Sequence, residues 1–139
     1  MDVEGTLSIA LFSGTDDKLS AAVLLTAGAA ALGRKVDILL QYWALDAFRA
    51  GQPDKEHGLA PEAGWEGAQA MRRLQEEGGG QHWSAVLAQA KQLGEVRVHA
   101  CSLSMDMLGL TTDDLDPMVD DVEGVTAFML AADGQLVFI

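Results

Sequence analysis

The chain reads as an α/β domain built on a central, mainly parallel sheet of about five strands. Strand-like and helix-like segments alternate along its length, which implies βαβ units with right-handed crossovers. The first strand candidate, residues 6–12 (Thr-Leu-Ser-Ile-Ala-Leu-Phe), is nearly continuous in apolar residues. Such runs suit strands covered on both faces, as in parallel sheets. Glycines and capping residues punctuate the segments.

Ser13-Gly14-Thr15-Asp16-Asp17 is a turn with N-cap candidates. The spacing then predicts a helix over Lys18–Leu32, with Leu19, Val23, Ala27 and Ala30 on one apolar face and Gly33 as a left-handed cap. Residues 35–41 form the second strand. A short helix is expected over Tyr42–Gly51, with Trp43, Ala47 and Phe48 as its apolar positions. Residues 52–64 contain two of the three prolines and read as loop; Gly67–Glu77 reads as helix, and Gly78-Gly79-Gly80 as a break. Val86, Leu87, Ala90 and Leu93 mark a helix over His82–Leu93. Glu95-Val96-Arg97-Val98-His99 is the third strand. Thr111-Thr112-Asp113-Asp114-Leu115 is a capping sequence for a short helix. Residues 120–123, 124–132 and 136–139 complete the pattern as strand, helix and strand. No internal repeat interrupts residues 1–139, which form a single domain.

The length of 139 residues supports a sizeable core without covalent staples. The net charge of −12 argues against nucleic acid as a partner, because the phosphate backbone requires a basic footprint. Adhesion to an anionic membrane is disfavoured for the same reason. The apolar run 19–33 is shorter than the roughly 20 residues of a membrane span. The N-terminus, Met1-Asp2-Val3-Glu4-Gly5, has no basic region of the kind a signal peptide carries. A cytoplasmic protein is the expectation.

Cys101 is the only cysteine, so neither an internal disulfide nor an internal resolving thiol exists. It falls where the third strand ends and a helix begins. The carboxyl ends of strands are where open α/β sheets place their sites, and a helix N-terminus favours a thiolate. This makes Cys101 a candidate nucleophile; a buried, inert cysteine is the competing reading. His99, two residues earlier in the strand, shares its face. It is either a base or electrostatic partner for the thiol, or a hydrogen-bonded structural histidine. The turn after the first strand offers Ser13, Gly14 and Lys18 for an anion or a substrate tail. It lacks the second glycine of a Walker A loop and the glycine pattern of a dinucleotide fingerprint; a plain helix cap is the alternative. His57 and His82 have no metal-ligand spacing, and no metal is expected. Met105 and Met107 diverge on a helix and read as packing rather than as a copper site. Asp113, Asp114, Asp116, Asp120 and Asp121 lack the order of a calcium loop and read as caps and solvated charge.

The segment 98–109 (Val-His-Ala-Cys-Ser-Leu-Ser-Met-Asp-Met-Leu-Gly), with Gly124-Val125-Thr126-Ala127-Phe128 and Leu136-Val137-Phe138-Ile139, resembles the DsrE/DsrF-like family of sulfur-relay proteins. Leu11-Phe12-Ser13-Gly14, Asp17-Lys18 and Gln41-Tyr42-Trp43-Ala44-Leu45 fit the same pattern. The resemblance spans nearly the whole chain, and Cys101-Ser102-Leu103-Ser104-Met105 is its most specific part. It implies a three-layer α/β/α sandwich and a homo-oligomer, a trimer or hexamer. It also implies sulfur carried on Cys101 and exchanged with a small TusA-type carrier. Many relatives are called peroxiredoxins, a description that says little about mechanism. No cofactor is implied. The expected function is therefore a sulfur carrier or sulfurtransferase-like protein. Amides of Ser102, Leu103 and Ser104 would stabilise its anion, and Ser13, Gly14 and Lys18 would line the facing wall. A non-catalytic oligomeric binding or regulatory module and a one-cysteine thiol peroxidase are the alternatives.

Overall fold

The structure, a computed structural model, describes residues 5–139. The acidic N-terminal reading over Met1–Glu4 lies outside these residues. Five strands form one sheet: β1 (Leu7–Leu11), β2 (Val36–Leu40), β3 (Val96–Cys101), β4 (Asp121–Glu123) and β5 (Gln135–Phe138). All pairings are parallel, in the order β4-β3-β2-β1-β5. Helices α1 (Asp16–Ala31), α2 (Tyr42–Ala47), α3 (Gly64–Glu76), α4 (Trp83–Leu93), α5 (Ser102–Leu108) and α6 (Val125–Ala131) connect them. With helices on both faces, this is a three-layer α/β/α fold.

The order of strands explains how the layers are filled. From β1 to β4 the chain steps across the sheet in one direction, so right-handed crossovers put the connecting helices on one face. There Leu7, Ile9, Leu11, Val36, Ile38, Leu40, Val96, Val98 and Ala100 meet Leu19, Val23, Leu45, Leu87 and Met105 in the main core. The last crossover runs back from β4 to β5, so handedness sends α6 to the opposite face. It must bridge four strand spacings, roughly 19 Å. A helix of seven residues is only about 10 Å long. The second face is therefore thinly covered. It carries the alternate residues Ala10, Leu39 and Cys101, with Phe128 of α6 over them.

Several elements differ from their sequence reading in detail. In α1 the buried residues are Leu19, Ala22, Val23, Thr26 and Ala29, not the 19/23/27/30 stripe. The helix is alanine-rich and apolar all round, with Leu24 and Leu25 exposed, so periodicity alone does not select a face. α2 stops at Ala47, and it buries Ala44, Leu45 and Ala47 while Trp43 points outward. The chain then leaves the helix as Arg49 forms an antiparallel bridge with Leu115. α3 begins at Gly64, three residues early, and none of its residues is buried. β3 runs on to Cys101, two residues beyond the predicted end. Gly33 is left-handed, as a cap requires. Thr111 and Asp114 form a reciprocal capping box around one short 3-10 turn.

Candidate functional site

Two regions lie along the carboxyl edge of the sheet. Because every strand is parallel, β1 and β3 end on this same edge. Cys101 ends β3 and is the N-cap residue of α5. The crossover from β3 leaves toward the main core, whereas that from β4 leaves toward α6. The two diverge between Cys101 and Gly124, a topological switch point of the kind at which open sheets place ligands. A Cβ built on Gly124 would stand 3.8 Å from Ser102 Oγ, so the two helix starts are close neighbours.

The thiol itself is not solvent-reachable in a single chain. Cys101 is 2% exposed and packs against Leu39, Phe128 and Ala10. This corrects the expectation of an accessible thiolate. Its side chain also makes no capping hydrogen bond to α5, because it points to the opposite face of the sheet from the residues of the main core. Ser102 and Leu103 are exposed beside it, while Ser104 is buried. The Ser104 hydroxyl accepts a hydrogen bond from the Tyr42 amide at 3.1 Å, a structural tie between α5 and α2. Tyr42 has φ +44°, the one positive φ at a non-glycine position among the described residues. A bulky residue held there is strained by about 1–3 kcal/mol. Nothing in its sequence neighbourhood signals that strain.

Ser13, Gly14 and Lys18 lie about two strand spacings away, roughly 10 Å along the edge. They line an open cleft of about 520 Å³ with Phe12, Trp43, Asp46, His57 and Glu62; Cys101 does not reach it. The amides of Phe12 and Ser13 are already donated to the Ile139 carbonyl, at 2.8 and 3.2 Å. Lys18 pairs with Glu62 at 2.7 Å, which raises the lysine pKa and lowers that of the glutamate. The head of α1 is occupied by its own carboxylates. Asp16 accepts from the His57 amide and the Trp83 indole, and Asp17 from Thr15 Oγ1 and the Ala60 amide. Burial alone would raise the Asp17 pKa, but those hydrogen bonds outweigh it and hold the carboxyl below its ordinary value. The cleft thus offers fewer free donors than its sequence suggests. The structure does not bring these residues together with the thiol.

His99 shares the Cys101 face, as strand alternation requires, but both its ring nitrogens are engaged elsewhere. Nε2 stands 2.8 Å from Asp37 Oδ1 of β2. Nδ1 faces Asp121 Oδ1 and lies 3.1 Å from Glu123 Oε2, both on β4. Burial pushes the imidazole pKa down, but the carboxylates win and hold it above its ordinary value. Asp121 is in turn held low against its own burial by His99 and Arg97. His99 is therefore not a base for the thiol. Asp120 and Asp121 are not simply solvated charge either: Asp120 accepts from the Val98 amide at 2.7 Å and pairs with Lys91. Sequence spacing gives no hint of this cluster, since its members come from three strands. The one cue is Asp37, a charge inside the apolar run Val36–Leu40. Met105 is buried in the core while Met107 points to solvent. Among the described residues no helix is long and apolar enough to cross a membrane.

No family model matches the chain. MTH1491 from Methanobacterium thermoautotrophicum, a solved protein of unknown function, superposes with a TM-score of 0.62 at 12% identity. The alignment covers 98% of this chain and all of that one. YchN from E. coli, a DsrE-like fold, superposes with a TM-score of 0.58 at 18% identity, again covering 98% and 100%. At these identities the likeness concerns the fold. The uncharacterized protein YrkE of Bacillus subtilis (strain 168) is 31% identical over 147 aligned positions, which cover 91% of this chain and 90% of YrkE. The chain belongs to the same protein family as YrkE and is built on a DsrE-like fold.

Proposed function

We propose that the protein is a sulfur carrier in which Cys101 takes a sulfane sulfur from a donor and passes it to an acceptor protein thiol. The supporting observation is the position of the chain's single thiol, at the end of β3 where the crossovers to α5 and α6 part. In the loading step the Cys101 thiolate attacks the outer sulfur of a persulfide. A new S–S bond forms, the donor's S–S bond breaks, and the donor leaves as a thiolate. In the second step the acceptor thiolate attacks that outer sulfur and Cys101 departs as thiolate. No net oxidant is consumed. The buried side chain makes uncovering part of the mechanism: Phe128 must move before either sulfur can approach. Exposed Ser102 and Leu103 would meet the incoming partner, a small TusA-type carrier in this reading.

The same reading includes a homo-oligomer, a trimer or hexamer. Met129 and Leu130 of α6, with Leu136 and Phe138 of β5, are exposed on the thinly covered face, and a second copy would cover them. Intact mass spectrometry after incubation with glutathione persulfide or tetrathionate tests the carrier function. One adduct on the wild type and none on Cys101→Ser is expected. An unmodified wild type, or equal modification of both, refutes it. The burial of Cys101 favours a second reading, an oligomeric binding or regulatory module that uses the cleft at Ser13, Gly14 and Lys18. A native thiol that never reacts with small alkylating reagents would select that module.

A further inference from the structure

The thinly covered face carries a second cluster that the sulfur chemistry does not use. His99 is 6% exposed. Its Nδ1, one oxygen of Asp121 and one oxygen of Glu123 all lie within 4.8 Å of one another. Two carboxylates from β4 thus converge on a single ring nitrogen. A proton on that nitrogen makes one directed hydrogen bond, and Asp121 takes it. Glu123, only 3.1 Å from the same nitrogen, accepts no hydrogen bond from any other group among the described residues. A bound cation would satisfy both carboxylates where one proton satisfies one.

We propose that His99 Nδ1, Asp121 and Glu123 form a binding site for a divalent transition-metal cation, with Zn²⁺ as its representative. Imidazole nitrogen with carboxylate oxygen is a ligand set that Zn²⁺ accepts, and three protein ligands leave a fourth position open to water or a ligand. Asp37 is not a ligand. It stands behind the ring, 2.8 Å from Nε2, as the outer carboxylate that fixes a metal-binding imidazole and turns Nδ1 toward the ion. Arg97 contacts the other oxygen of Asp121, Oδ2, at 3.3 Å and leaves Oδ1 free for the site. Lys35 stands 3.9 Å from Asp37 Oδ2, away from the ligand atoms. An entry path exists, because β4 is an edge strand and the Asp121 side chain is 44% exposed. The ion would replace the proton on Nδ1, which passes to solvent.

Isothermal titration of the full chain with ZnCl₂, paralleled by Co²⁺ absorption spectra, tests this. One saturable ion per chain is expected, with a dissociation constant near or below about 10 μM. Glu123→Gln and Asp121→Asn should each weaken it at least about tenfold and alter the Co²⁺ ligand-field bands. Asp37→Asn should weaken it by roughly 10–100-fold through the ring's orientation. Cys101→Ser should bind as the wild type does. Both β4 variants alter an edge strand, and circular dichroism verifies that they fold. Absence of saturable binding up to about 1 mM overturns the proposal, leaving an imidazolium as the cluster's own cation. Unchanged affinity in Glu123→Gln, or loss of binding in Cys101→Ser, overturns it equally.

Discussion

Gly14 is held against the backbone of Trp43 so closely that a Cβ there would stand 2.3 Å from the Trp43 carbonyl oxygen. That contact locks the end of β1 to the start of α2, where the Ala44 amide also donates to the Phe12 carbonyl at 3.1 Å. Gly14→Ala should therefore cost about 2 kcal/mol or more in a urea unfolding experiment; a loss below about 0.5 kcal/mol would contradict the close approach. Asp17 makes a different kind of contribution. Its folded pKa lies below the ordinary 3.8, so its stabilisation is present above that value and is lost as pH falls through the folded pKa. Asp17→Asn should flatten the acid limb of the stability curve below about pH 4 and leave its slope near neutral pH unchanged. An identical acid limb in both proteins would refute the assignment. At this scale the sequence displays the strand-to-helix position of Cys101 and the Thr111–Asp114 box directly, because each rests on local chain geometry; the close approach of Gly14 to Trp43 spans 29 positions and shows only in the fold. It hides the partners of His99, because Asp37, Asp121 and Glu123 meet the ring only when strands distant in sequence align in register.

The element that controls the thiol is α6. It has seven residues, buries only Phe128, and hangs from a three-residue edge strand. Few buried apolar contacts imply a low free energy of local opening. Phe128→Ala removes the cover of Cys101, and alkylation of the native protein should accelerate about tenfold or more, equivalent to ~1.4 kcal/mol of opening energy. Equal labelling rates in mutant and wild type would show that another route exposes the sulfur. The sequence signals α6 as a helix through Gly124 and the apolar run after it. Its task follows only from the return crossover, whose handedness places it on the face opposite the other helices.

For the whole molecule, the consequence of that topology is an apolar surface left largely uncovered among the described residues. Leu130 is 84% and Phe138 69% exposed, and both lie in the α6–β5 segment. Sedimentation should show an assembly larger than one chain, and Phe138→Asp with Leu130→Asp should reduce it to monomers with an unchanged circular dichroism spectrum. A monomeric wild type at micromolar concentration would remove the basis for the proposed oligomer. The alternation of strand and helix patterns, the continuous apolar strands and the glycine caps determine an α/β domain with a parallel sheet. These are local signals, carried by residues a few positions apart. Only the tertiary structure decides that Cys101 is covered by Phe128, that Ser13, Gly14 and Lys18 belong to a separate cleft, and that three carboxylates surround His99. Each depends on strand order and crossover hand, which bring together residues whose distance along the chain contains no trace of their contact.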